Sequence, residues 1–146
     1  MADQQEASVT LPSAPASVPA ARAYVTDVLA EWGLGARAEA ADTVRLIVSE
    51  LATNAVRHTV GRSPTFTVDL RLDHTRRLEI GVTDSHPRWP ARPPAATRQD
   101  RGRDHGRGLV IIRSLAAESG GDVFITPTAD GGKTVWIALP WTAGVN

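Results

Sequence analysis

A chain of 146 residues, 42% hydrophobic and 22% charged, with 16 basic residues balanced by 16 acidic ones, has the make-up of one globular domain. The even charge balance argues against direct nucleic-acid binding or an anionic membrane partner, and the absence of cysteine excludes disulfides and thiolate metal sites. The first residues carry no basic segment followed by an apolar run, and no stretch reaches the roughly eighteen apolar residues of a membrane span, so a cytoplasmic location is expected.

Residues 1–17 mix Ala, Ser, Pro and Gln and read as a flexible N-terminal segment, with "ASVTLP" as a possible edge strand. Residues 18–141 read as a single domain. From Val18 to about Trp32 apolar residues recur at helical spacing, Pro19 suits a first turn, and "GLG" at 33–35 ends the helix. A second helix is expected from about Ala36 to Thr59, closed by Gly61 and Pro64. "TFTVDLRLD" and "RLEIGVTD" alternate apolar and polar residues at period two on either side of His74 and Thr75, the pattern of a hairpin. Residues 85–105 hold four prolines and five arginines without apolar periodicity, and a loop of that length suits a lid. "GRGLVIIRSLAAESG" then reads as a helix with Leu109, Ile112, Leu115 and Ala116 buried, and a second hairpin turns at Asp130-Gly131-Gly132. Helices on one face of a mixed, mostly antiparallel sheet make a two-layer α/β sandwich. Lys133 is the only lysine, all other basic residues being arginine.

The second helix places polar residues beside its apolar stripe. At about 100° per residue, with Glu50 at zero, Asn54 falls at about 40°, Arg57 at about −20° and His58 at about 80°. Val44, Ile47, Val48, Leu51 and Ala55 fall between about 60° and 160°. A carboxylate and a carboxamide therefore border the buried face, which fits either a helix roofing a polar site or an edge-of-core pair that meets water. Asn54 offers a hard oxygen of the kind Mg²⁺ takes when phosphates and water supply the rest, and Glu50 a carboxylate able to accept a proton. Asp84 ends a strand, as either a turn residue or a polar group aimed at a ligand. "GRG" at 106–108 opens a helix, where backbone N–H groups and the helix dipole favour an anion, although a flexible helix start explains the glycines equally well. Arg57 and His58 lie where a helix C-terminus favours cations in any case.

In order along the chain, these segments resemble the GHKL or Bergerat ATP-binding module of gyrase, sensor histidine kinases and MutL. The Glu-x-x-x-Asn box of that family is matched by Glu50 and Asn54 in "ELATNAVRH", the Asp that contacts the adenine amino group by Asp84 in "VTDSHPRWP". The second glycine box is matched by Gly106, Gly108 and Leu109, and the nucleotide-side Thr of the final strand by Thr134 in "GGKTVWIALP". The resemblance spans about residues 18–140 and implies ATP and Mg²⁺ as ligands, with Glu50 catalytic, Asn54 on the metal, and Asp84, Arg88, Gly106, Arg107, Gly108, Leu109 and Thr134 at the nucleotide. It makes residues 85–105 an ATP lid.

With 146 residues, the chain is expected to lack a phosphoacceptor helix and the large domains of the other members, and it is most similar to small stand-alone anti-sigma-factor serine/threonine kinases. That similarity implies two partners, a sigma factor and a STAS-domain anti-anti-sigma protein phosphorylated on Ser or Thr, and is compatible with a homodimer. Two departures stand out. His86 and Arg88 occupy positions where the first glycine box usually carries glycine, and Asp104 stands where the second box would take another. Arginines of the loop, among them Arg88 and Arg107 at its end, can pair with phosphates or serve as a solvated surface. The altered box leaves a second reading open: an ATP-binding module, weak or inactive in catalysis, that sequesters a sigma factor or another partner.

Overall fold

Alternation at period two builds a sheet whose two faces differ sharply. In the computed structural model, which describes residues 5–33, 38–59, 64–73, 77–84, 106–129 and 132–140, five strands lie in the order β1-β2-β3-β5-β4. They are β1 (Gln5–Pro12), β2 (Thr65–Leu72), β3 (Arg77–Asp84), β4 (Asp122–Pro127) and β5 (Lys133–Pro140). Every neighbouring pair is antiparallel, so the mostly antiparallel sheet expected from the pattern is borne out, with no parallel pair among the described strands. The reason lies in the returns: β2–β3 and β4–β5 are hairpins, and β5 pairs with β3 in the opposite sense.

One face is apolar along its length. Phe66, Val68 and Leu70 on β2, Leu78, Ile80 and Val82 on β3, and Val135, Ile137 and Leu139 on β5 all belong to the buried core. The cross-strand pairs Leu78↔Leu139, Ile80↔Ile137 and Val82↔Val135 stack them in rows. Each such side chain contributes about 1.5–3 kcal/mol when fully buried, and Ile80 and Ile137 are both 0% exposed.

Three described helices cover this face: α1 (Ser17–Glu31), α2 (Ala38–Thr59) and α3 (Gly106–Glu118). Helix α1 buries Ala21, Val25, Val28 and Leu29 at helical spacing and lies toward β1. Helix α2 buries Val44, Ile47, Val48, Leu51, Ala52, Ala55 and Val56 and lies over β2 and β3. Helix α3 buries Ile112 and Ala116, with Leu115 partly buried, and lies over β4 and β5. Its end is set by Gly120 at φ +80°, where the Gly121 N–H reaches the Ala116 carbonyl at 2.7 Å. That left-handed cap turns the chain directly into β4.

The other face carries Trp136, whose indole lies against Gly81; a Cβ there would sit 2.6 Å from the ring, so only glycine leaves room. Arg71 lies 4.4 Å from the centre of that indole and Phe124 stacks on it at 6.3 Å. No described helix is long and apolar enough to cross a membrane. The segment expected as a lid, residues 85–105, lies outside the described residues, as do Asp130 and Gly131 of the second turn.

Candidate functional site

Glu50 and Asn54 are half-buried on α2, between a fully buried stripe and the exposed Arg57. The two borders of the stripe meet different neighbours. On one, the Arg22 guanidinium of α1 donates to the Ser49 hydroxyl at 3.0 Å, which fixes that border toward α1. Glu50 and Asn54 lie on the other border, and the second helix packed on α2 is α3. The apolar stripe thus seats α2 on the sheet while the carboxylate and carboxamide border the side toward α3. The side chain of His58 lies outside the described residues, and the exposure of Arg57 agrees with a helix-end role.

Connectivity brings two more features to the end of the sheet where α2 finishes. Six residue steps lead from Thr59 at the end of α2 to Thr65 at the start of β2 and reach at most about 21 Å, so the end of α2 stands on the side of the sheet that holds Phe66, the cross-strand partner of Asp84. Asp84 closes β3 on the helix-covered face, with the side chain 5% exposed. Helix α3 turns tightly into β4, whose first residue pairs with Ala138 at the far end of β5. Thirteen helical residues span about 20 Å, the length of β4, so the start of α3 at Gly106–Gly108 returns to the Asp84 end. A buried carboxylate, a half-buried Glu/Asn pair and a helix N-terminus therefore share one end of the sandwich.

Asp84 has a close partner. The Lys133 ammonium donates to its Oδ2 at 2.7 Å, and the Lys133 side chain is 15% exposed. The β3–β5 register explains the pair, since Asp84 and Lys133 face each other across the ladder. One rung inward, Thr83 and Thr134 pair on the opposite face, their hydroxyls 2.7 Å apart. This corrects the placement expected of Thr134: it is not on the Asp84 side, because strand alternation turns it to the open face and gives the Asp84 side to Lys133. Reasoning from the sequence missed Lys133. The inner row Val135, Ile137, Leu139 extended back by two residues points to it, as does its standing as the only lysine.

Arg88 lies outside the described residues, and Gly106, Arg107, Gly108 and Leu109 are described as backbone of the first turn of α3. Among the described residues no group of three or more His, Asp or Glu could hold a metal unaided. A Mg²⁺ ion that arrives on a triphosphate asks for few protein oxygens, and the carboxamide of Asn54, one turn from Glu50, suits that requirement.

The family model described as histidine kinase-like ATPase domain matches residues 11–139. Among solved structures the chain resembles the RsbU and RsbW domains of Rv1364c from Mycobacterium tuberculosis, at 19% identity and TM-score 0.64, covering 94% of this chain and 32% of that one. The SiaB-SiaC complex from Pseudomonas aeruginosa matches at 13% identity and TM-score 0.56, over 91% of this chain and 88% of that one. The blue-light activated histidine kinase EL346 of Erythrobacter litoralis matches at 24% identity and TM-score 0.55, over 74% and 32%. These likenesses establish a shared fold, and the chain spans about a third of the first and third of these structures. No curated protein matches the sequence.

Proposed function

We propose, since the chain belongs to the histidine kinase-like ATPase domain family, that it is a Mg²⁺-ATP-dependent regulatory kinase acting on a serine or threonine of a STAS-type anti-anti-sigma protein and holding a sigma factor in turn. The observation that carries this reading is the shared location of the buried Asp84, the Glu50/Asn54 border and the start of α3 at one end of the sandwich. Each has a task in phosphoryl transfer. Asp84 accepts the adenine amino group; the backbone of Gly106, Arg107, Gly108 and Leu109 faces phosphate at a helix N-terminus, with Arg88 and Arg107 as pairing cations.

Asn54 would hold Mg²⁺, which when bound spreads the charge of the phosphates. Glu50 takes the proton of the attacking hydroxyl as its oxygen forms the new bond to the γ-phosphorus, and the bond to the β–γ bridging oxygen breaks, releasing ADP. The altered first glycine box, His86 and Arg88 at glycine positions, favours a second reading in which the protein retains ATP and sequesters its partner without transfer.

Incubating the full chain with γ-labelled ATP and the STAS proteins of the same genome separates the two readings. Label on a Ser or Thr of a STAS protein supports the kinase; nucleotide binding without label supports sequestration. Glu50→Ala is expected to abolish transfer while sparing ATP binding, and equal loss of both would remove Glu50 from the role of base. Asn54→Ala in the same assay is expected to weaken binding chiefly when Mg²⁺ is present.

A further inference from the structure

The row of residues across the Asp84 end of the sheet runs Phe66, Asp84, Lys133, Pro127, each the cross-strand partner of the next. It ends the apolar face with a buried carboxylate and a half-buried ammonium, at the rung where Val82↔Val135 would otherwise be followed by another apolar pair. A buried ion pair adds little net stability over an apolar pair of like volume, because desolvating both charges offsets their attraction. Lysine is also a poor choice for a strut, since its flexible stem normally carries the ammonium out to water. Its retention at 15% exposure, at the end of the sheet shared by the end of α2 and the start of α3, calls for a use beyond packing.

The chemistry of the pair suggests one. Asp84 is an acceptor and Lys133 a donor without acceptor capacity. Set side by side at 2.7 Å, they form an acceptor–donor couple. Adenine presents the complementary couple on adjacent ring positions, the 6-amino donor and the N1 acceptor. Guanine in the same seat sets its 6-oxo group against the carboxylate and its N1–H against the ammonium, so that both contacts repel.

We propose that Lys133 is a second base-reading residue, whose ammonium donates to adenine N1 while Asp84 accepts from the 6-amino group. This rests on the reading of Asp84 as the adenine contact. The couple reads two adjacent atoms of the base, and it makes the site select adenine through donor and acceptor order as well as through shape. A lysine also supplies a charge-assisted bond, stronger than a neutral hydroxyl would give.

The test pairs a change in the ligand with a change in the protein: titration calorimetry of ADP and of 1-deaza-ADP, in which N1 is replaced by C–H, against the wild-type chain, Lys133→Met and Lys133→Gln. The wild type is expected to prefer ADP by about 10–100-fold, the range for a hydrogen bond to a charged group. Lys133→Met is expected to bind the two ligands alike, and Lys133→Gln, which keeps a neutral donor, to retain part of the preference. Equal binding of both ligands by the wild type overturns the proposal, and so does a Met variant that keeps the full preference. If the Met variant does not fold, the wild-type comparison decides alone. Failure of the wild type to bind ADP at all overturns the nucleotide reading itself, and the proposal with it.

Discussion

The two faces of the sheet meet on adjacent rungs of the β3–β5 ladder and carry opposite chemistry. On the helix-covered face the buried Asp84 pairs with the half-buried Lys133; on the open face Thr83 and Thr134 share a neutral hydrogen bond, followed two residue pairs further in by Gly81 and the indole of Trp136. The open face closes its apolar surface with its own residues, Arg71 and Phe124 lying against Trp136. The covered face is apolar until its last rung and then admits charge. Charge is costly where helices exclude water, so its appearance at the rim is what the proposed base site would account for.

Substitutions on the two faces separate stability from binding. Asp84→Ala carries the largest expected effect: it takes the carboxylate away from the half-buried Lys133 ammonium, a charge-assisted bond of about 3 kcal/mol at most, and it removes the increase in melting temperature produced by Mg²⁺-ATP. Retained nucleotide stabilisation in that variant would break the assignment of the covered rim as the base site. Trp136→Ala on the open face is expected to lower stability by about 3–5 kcal/mol, while the folded protein keeps its affinity for ADP in calorimetry. Thr134→Val is smaller, about 1 kcal/mol for the lost bond to Thr83, again without change in nucleotide affinity. A large affinity loss there would place Thr134 in the site despite its side of the sheet.

The smallest expected effect lies at the other margin of the covered face, where Tyr24 of α1 stands near β1. Burial raises the Tyr24 phenol above its ordinary value, Glu31 and Asp69 raise it further, and a hydrogen bond with the Ser8 backbone opposes them. Because the folded value is the higher one, this contribution is present in full below pH 10.0, the ordinary tyrosine value, and is lost as pH rises through the folded value. Denaturant titrations from pH 8 to 11 are expected to show the wild type losing stability at the alkaline end, and Tyr24→Phe losing less of it.

Much of this architecture was legible in the residues themselves. Val44, Ile47, Val48, Leu51 and Ala55 recur at helical spacing and all are buried; the alternation in "TFTVDLRLD" and "RLEIGVTD" forms β2 and β3; "ASVTLP" lies within β1, the edge strand. These patterns are local, set by side-chain periods of 3.6 and 2 within a single segment. The position of Glu50 and Asn54 at the border of the α2 stripe follows from the same period. What the chain order alone left open was pairing between segments. That every strand neighbour is antiparallel, that β5 lies between β3 and β4, and that Lys133 rather than Thr134 shares a face with Asp84 are all consequences of register. Register is decided by which apolar rows can stack beneath the helices, and a shift of one residue exchanges the two faces of a strand. The sequence by itself determined the helices, the strands and most of the residues that could meet a nucleotide; only the tertiary structure decided which of them stand together, because residues 49 positions apart become neighbours through strand pairing and helix packing alone.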